Sequence, residues 1–164
     1  MSSSQLKISI KDQRLQYYHA GKNIMDVKIS TATNGPGESY GSECTPRGRH
    51  KVRAKVGENC VENAVFVARR FTGEVFSETM RQEFPNRDWI LTRILWLSGL
   101  EVGKNRLGKV DTMRRYIYIH GCPDSDPMAL ASSHGCIKMR NPEVIELYDR
   151  IAVGTEVHIF EGGL

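Results

Sequence analysis

The chain has 164 residues, 40% of them apolar and 26% charged, with a formal net charge of +4. That length fits one domain, and the composition excludes a disordered chain, which has too little apolar surface to bury. The lysines and arginines are scattered along the sequence, so no nucleic-acid partner is expected, and no apolar stretch is long enough to cross a membrane.

The first five residues are polar and show no basic segment followed by an apolar run, so a cytoplasmic location is expected, with Cys44, Cys60, Cys122 and Cys136 as reduced thiols. Leu6, Ile8 and Ile10 alternate with polar residues, as do Val27 and Ile29 beyond the turn at Gly21, which predicts an antiparallel meander. A Gly-rich loop around Asn34 to Gly41 and a tight turn at Thr45-Pro46-Arg47-Gly48 follow. Arg47, Arg49, Lys51, Arg53 and Lys55 then alternate strictly, which predicts five cations on one solvated strand face.

Residues 64–71 (AVFVARRF) and 89–97 (WILTRILWL) are β-branched and aromatic runs, and each reads as one strand. From Tyr116 to His120 the alternation sends Ile117 and Ile119 to the core and turns Tyr116, Tyr118 and His120 to the other face. Asn141 reads as a helix N-cap, with Pro142 at the first helical position and Glu143 in the first turn; Val144, Leu147, Tyr148 and Ile151 recur at helical spacing before Gly154. A last strand covers Glu156 to Phe160. The expected fold is mainly β, a sandwich or barrel with one or two appended helices, forming a single domain over 1–164.

Ser133-His134-Gly135-Cys136 is the segment richest in chemistry. A thiol attacks as thiolate, so a catalytic cysteine needs a base close by, and His120 and His134 are the candidates. His120, at the end of another strand, is the better base. His134, two residues from Cys136, is as well suited to contacting substrate or holding the loop. Gly135 leaves the backbone bare, so the Gly135 and Cys136 amides are candidate oxyanion donors. Two other readings of the same residues stay open: structural histidines beside a buried thiol, and a zinc site built from His120, Cys122, His134 and Cys136.

His120-Gly121 followed by Ser133-His134-Gly135-Cys136-Ile137-Lys138-Met139-Arg140-Asn141 resembles the signature of the L,D-transpeptidase catalytic domain, or YkuD, family. Thr45-Pro46-Arg47-Gly48 is similar to that family's T-P-x-G turn. The resemblance implies a β-sandwich enzyme without a cofactor or metal. Its cysteine attacks the carbonyl between a diamino acid, usually meso-diaminopimelate, and D-alanine in a peptidoglycan tetrapeptide or muropeptide. It implies Cys136 as nucleophile, His120 as base, and the Gly121 carbonyl as the group that orients the His120 ring. His134 and the amides of Gly135 and Cys136 shape the oxyanion site, and carbapenem-type inhibitors acylate the cysteine.

Tyr118, Ser133, Lys138 and Arg140 are the candidates for substrate contact. Lys138 stands where the family often carries arginine and lacks a guanidinium's forked grip, for which Arg140 is the substitute considered. Arg114 and Arg115, just ahead of the strand, are suited to attracting carboxylate-rich peptides, and surface solvation explains them as well. Cys122, an unusual residue after His-Gly, suggests an oxidative link to Cys136. A cytoplasmic member meets few acceptor strands, which makes hydrolysis, as an L,D-carboxypeptidase, the expected outcome. Transpeptidation or D-amino-acid exchange, and a binding module without turnover, are the alternatives.

Overall fold

The computed structural model describes residues 3–164. Its strands are β1 (Ser4–Ser9), β2 (Arg14–His19), β3 (Lys22–Lys28), β4 (Gly48–Val56), β5 (Ala64–Val67), β6 (Arg70–Val75), β7 (Ile90–Gly99), β8 (Tyr118–Gly121), β9 (Ile137–Met139) and β10 (Glu156–Phe160). Two helices, α1 (Glu78–Glu83) and α2 (Asn141–Arg150), complete a mainly β fold of the expected class. The sheet is continuous and curled, in the order β3-β2-β1-β10-β4-β7-β5-β6, and β8 pairs with both β7 and β9.

The meander forms as β1-β2-β3, with Leu6 and Ile8 of β1 and Leu15 of β2 removed from solvent on the inner face. Its alternation cannot reveal that β1 also pairs in parallel with β10, joining the two ends of the chain. The apolar run of β7 is buried because three strands, β4, β5 and β8, pair with it. The α2 stripe of Val144, Leu147 and Tyr148 closes the main core against β strands that include Leu95, Ile119 and Ile137. Complete burial of a Leu or Ile contributes about 1.5–3 kcal/mol, so these alternating positions hold the register.

Four expectations change. Residues 64–71 are not one strand: β5 and β6 form a hairpin whose turn places Ala68 (φ 47) and Arg69 (φ 63) in the left-handed region. Such turns usually advertise themselves with Asn-Gly, and this one does not. Asn141 is not the N-cap of α2; Arg140 is, and Asn141 starts the helix with its side chain buried. Tyr116 lies before β8 in a left-handed turn (φ 55) and is exposed, while Ile117, Tyr118, Ile119 and His120 are buried. The basic alternation is broken: a bulge falls between Val52 and Ala54, Arg47 pairs with Glu38 and Glu161, and Lys55 donates to Ile151 O. The short helix α1 has no buried residue, so no apolar period announces it.

His50 of β4 is fully buried, its Nδ1 on Gly48 O at 3.0 Å and its Nε2 on Thr112 Oγ1 at 2.9 Å. Burial pushes its pKa down to about 4. Below pH 6.5 the unfolded chain therefore takes up a proton that the folded chain refuses, and stability is lost as pH falls from 6.5 toward 4. The loss from this residue is about 3 kcal/mol. Denaturant titrations of wild type and His50→Asn at pH 7 and pH 4.5 check this: the variant should lose distinctly less on acidification.

Candidate active site

Parallel pairing of β8 and β9 sets Ile119 opposite Ile137 and His120 opposite Lys138. It also brings the entry ends of both strands together, where Tyr118 and Cys136 meet. The Tyr118 N–H donates to Cys136 Sγ at 3.3 Å, and Sγ lies 3.5 Å from Tyr116 O. Cys136 and His120 line one cavity of about 460 Å³, together with Arg69, Asp88, Arg115 and Tyr118.

His120 is 1% exposed, and its Nδ1 lies 2.6 Å from Gly121 O. A carbonyl only accepts, so Nδ1 carries the proton and Nε2 is the basic nitrogen. Burial holds the His120 pKa below its ordinary 6.5, against the opposing pull of Asp88 and the Gly121 carbonyl. Burial likewise pushes the Cys136 thiol up to about 12, although the Tyr118 N–H and Arg115 favour its anion. Both shifts point the same way: at rest the pair is neutral thiol and neutral imidazole, and the proton moves only during attack.

The nucleophile's loop is tied to the T-P-R-G turn, and Arg115 braces the Gly-rich loop that leads into that turn. Thr45 of the T-P-R-G turn donates from Oγ1 to Gly135 O at 2.9 Å. Arg115 donates to Cys44 O at 2.6 Å and reaches Ser42 Oγ and Gly37 O, each at 3.3 Å. Arg115 is therefore not a solvated surface cation; it is half-buried and bound to neutral oxygens of the Gly-rich loop. Gly135 has φ +130, and a Cβ there would lie 3.0 Å from Ile117 Cδ1. The left-handed φ favours glycine at this position, and the space beside it is tight.

The Ser133 hydroxyl donates to Cys136 O at 2.5 Å and accepts the Gly135 N–H at 3.2 Å. It is engaged inside the loop rather than offered to substrate, and it withdraws Gly135 from the expected pair of oxyanion donors. His134 is exposed and lines the cavity. Lys138 also lines it, with Nζ 2.9 Å from Asp126 Oδ2. Arg140 is not among the lining residues: its Nη1 donates to Asp124 O at 2.7 Å, which ties down a loop.

Behind His120 and Gly121 lies a buried polar network. Asn141 Nδ2 donates to Cys122 O and Asn63 Oδ1, each at 2.9 Å, and its Oδ1 accepts from Thr92 Oγ1 at 2.7 Å. Thr92, at φ 76, sits where β7 breaks register with β8 between Leu91 and Ile94. A Cβ on Gly121 would meet Leu91 O at 2.7 Å, so this close approach admits only glycine. Asn141→Ala leaves three partners unmet, two of them buried, and a loss of about 2–4 kcal/mol is expected in denaturant titration. Because the network acts through the His120-Gly121 backbone, kcat should fall with KM nearly unchanged.

The four cysteines are free. Cys122 is fully buried, its Sγ on Met139 O at 3.4 Å, and burial pushes its thiol up to about 11. Continuing the β8-β9 register puts Cys122 roughly four residues, or ~13 Å, along the ladder from Cys136. That exceeds disulfide reach, so the expected oxidative link does not form in this fold. The alternative zinc ligands are dispersed in the same way, and among the described residues no three His, Cys, Asp or Glu side chains are grouped to hold a metal.

Three cavity residues stand outside the candidate set, and two of them, Arg69 and Asp88, carried no functional reading in the sequence. Arg69, from the β5-β6 turn, donates to Tyr118 Oη at 2.9 Å and lies over the Tyr116 and Trp96 rings at 4.7 and 4.9 Å. Asp88 precedes β7 and acts electrostatically on both Cys136 and His120. Arg115 is the third. None lies in a motif; only the unusual turn and the sheet's curl bring them to the cavity.

A family model for the L,D-transpeptidase catalytic domain, YkuD, matches residues 3–159. No curated protein sequence showed significant similarity to the chain. Among solved structures, L,D-transpeptidase 3 from Mycobacterium tuberculosis in complex with a faropenem-derived adduct superposes with a TM-score of 0.60 at 14% identity, over 98% of this chain and 61% of that one. The L,D-transpeptidase from Mycobacterium smegmatis gives 0.57 at 15% identity, over 97% and 59%. That from Enterococcus faecium gives 0.57 at 17% identity, over 96% and 50%. The chain thus spans between half and about three-fifths of the length of these structures, which at such identities establish the fold. With the family model spanning nearly all of its residues, this chain belongs to the L,D-transpeptidase catalytic domain (YkuD) family.

Proposed function

We propose that this protein is a cysteine-dependent acyl-transfer enzyme of peptidoglycan peptides, acting as an L,D-carboxypeptidase that removes D-alanine from tetrapeptides. The observation that carries the reading is the pairing of Cys136 and His120 at one cavity, with His120 Nδ1 held by Gly121 O. His120 Nε2 takes the thiol proton as Sγ attacks the carbonyl between the diamino acid and D-alanine. The tetrahedral oxyanion is stabilised by the Cys136 N–H, with the Arg115 charge nearby. The C–N bond breaks, and the imidazolium returns its proton to the departing D-alanine amine. Water then attacks the thioester while His120 takes its proton, and collapse restores the Cys136 thiol.

Four free thiols suit a reducing compartment, and a cytoplasmic role in trimming recycled muropeptides is part of the proposal. Acceptor strands are scarce there, which favours water as the final nucleophile. Transfer to an amine is the second reading, favoured by a neighbouring cavity that shares Asp88, His134 and Lys138 and offers room for an acceptor. Structural relatives in complex with imipenem, a carbapenem, and with a faropenem-derived adduct, from a penem, support the further proposal that Cys136 is acylated by carbapenem-type inhibitors.

The test is to incubate the protein with a diaminopimelate-containing disaccharide-tetrapeptide, with and without excess D-methionine, and to read products by mass spectrometry. Tripeptide plus D-alanine, little affected by D-methionine, supports the carboxypeptidase. A D-methionine adduct or cross-linked dimer assigns transpeptidation instead. Unchanged substrate, with no carbapenem adduct on Cys136, leaves only a binding module.

A further inference from the structure

The fold brings four cations from three segments of the sequence to one cavity. This cavity, of about 180 Å³, lies on the solvent side of the β4-β7 pair and is lined by Lys51, Arg53, Arg106 and Arg114, with Ser98 and a single carboxylate, Asp111. None of the four cations forms an ion pair among the described residues. Asp111 is buried, and its oxygens accept the Leu107 N–H at 2.7 Å and the Arg114 N–H at 3.0 Å. The cavity therefore holds a surplus of three positive charges, on a chain whose net charge is +4.

These cations stand on anchored backbone. Arg53 is the residue left out of register by the β4 bulge, and its guanidinium lies 5.8 Å from the centre of the Trp96 ring. The loop that carries Arg106 and Arg114 is pinned to β4: buried Asn105 donates to Arg47 O and Arg49 O, each at 3.0 Å, and Thr112 Oγ1 meets His50 Nε2 at 2.9 Å. Like charges held together repel one another, and an anion between them removes that cost. Arg114 also lines a middle cavity of about 230 Å³, which shares Arg115, Tyr116, Ile117 and His134 with the cavity of Cys136. Tyr40 and Tyr116, both exposed, flank this middle cavity. Shared walls thus join the nucleophile to the cations through three cavities in series.

Four convergent cations exceed what one carboxylate can match. A phosphate group offers oxygens in several directions and suits the guanidinium fork, and a diphosphate brings at least two charges. Strands β4, β7 and β8 are neighbours and Cys136 leads into β9 beside them, so Arg53 lies about three strand spacings, or ~14 Å, from the nucleophile. The three residues of a tetrapeptide that precede the cleaved bond reach ~10 Å, which leaves the rest of the span to the sugar that carries the peptide. We infer that the enzyme takes its peptide on a sugar bearing a diphosphate. The peptide occupies the cavity of Cys136, the sugar lies against Tyr40 and Tyr116, and the diphosphate sits among Lys51, Arg53, Arg106 and Arg114. The inference rests on the acyl-transfer reading and adds to it the carrier on which the peptide is presented.

Four donors with the same tetrapeptide test this: the free peptide, the peptide on its sugar, and the peptide on that sugar with either a nucleoside diphosphate or a short prenyl diphosphate. By D-alanine release at low salt, kcat/KM is expected to be about 10- to 100-fold higher for a diphosphate donor than for the phosphate-free sugar, and this ratio should shrink as salt rises. In Arg53→Gln/Arg106→Gln the ratio should fall to about 1–3. In Lys22→Gln/Lys28→Gln, which removes the same charge from β3, it should stay. A gain shared by both diphosphate donors supports a site for the diphosphate itself, and a gain confined to one supports it together with the group that donor carries. A ratio near 1 for both, with D-alanine still released, overturns the inference alone. Equal losses in the two double variants overturn it as well, because a general positive field would then be acting in place of this cavity. No D-alanine from any of the four donors removes the acyl-transfer reading beneath it.

Discussion

Cys136→Ala is expected to abolish D-alanine release and carbapenem acylation while keeping the fold, with a thermal midpoint within a few degrees of wild type. The substitution removes one sulfur from a partly buried position whose polar partners among the described residues are the Tyr118 N–H and Tyr116 O. Every bond-making step runs through that sulfur, so no partial activity is expected. The wild-type thiol carries a sharper expectation. With its pKa pushed up to about 12 by burial, the thiol is overwhelmingly un-ionised at pH 7. Iodoacetamide should therefore alkylate Cys136 more slowly than an ordinary exposed cysteine, although a substrate-like acyl donor reacts readily. D-alanine released by the purified variant sinks the nucleophile assignment; fast alkylation of wild type at neutral pH shows a thiolate-imidazolium pair at rest.

His120→Ala should lower kcat by about two to four powers of ten, with KM nearly unchanged, because a general base contributes to the transition state rather than to ground-state binding. The pH dependence follows from the direction of its shift. Neutral imidazole is the active form, and burial holds its pKa below 6.5. The rate should stay level as pH falls from 8 to 6.5 and decline only below that, once the ring protonates. The same ring opposes folding at low pH, since the unfolded chain gains its proton first and stability is lost as pH falls below 6.5. Stopped assays of kcat/KM between pH 4.5 and 8 test the point, and an acid limb above pH 7 would contradict a buried neutral base. An equal rate for His120→Ala and wild type would transfer the role to another group.

Part of the site was legible because strand alternation and covalent neighbourhood carry it. Tyr118 and His120 alternate with Ile117 and Ile119, and Gly121 follows His120 directly, so the contact from Nδ1 to the next carbonyl is local. The Gly135-Cys136 loop is local in the same sense. Ser133 and Arg140 show where locality misleads. Both flank the nucleophile in sequence, yet one hydroxyl is engaged by Cys136 O and Gly135 N–H, and the other guanidinium lies on Asp124 O. Asn141 followed the pattern of a helix cap, but partners from β7, the β8 exit and the loop at Asn63 compete for its amide and draw it inward.

The sequence by itself determined the fold class, the alternating core positions of β1 and the apolar run of β7, and it named Cys136, His120 and Gly121 as candidates, because each depends on residues adjacent or periodic along the chain. Only the tertiary structure decided the parallel union of β1 with β10, the distance that keeps Cys122 from Cys136, and the arrival of Arg69, Asp88 and Arg115 at the cavity. It also gathered Lys51, Arg53, Arg106 and Arg114 around one cavity. These depend on how a long sheet curls and on turns such as Ala68-Arg69, where contacts distant in sequence outweigh the local preference for glycine or asparagine.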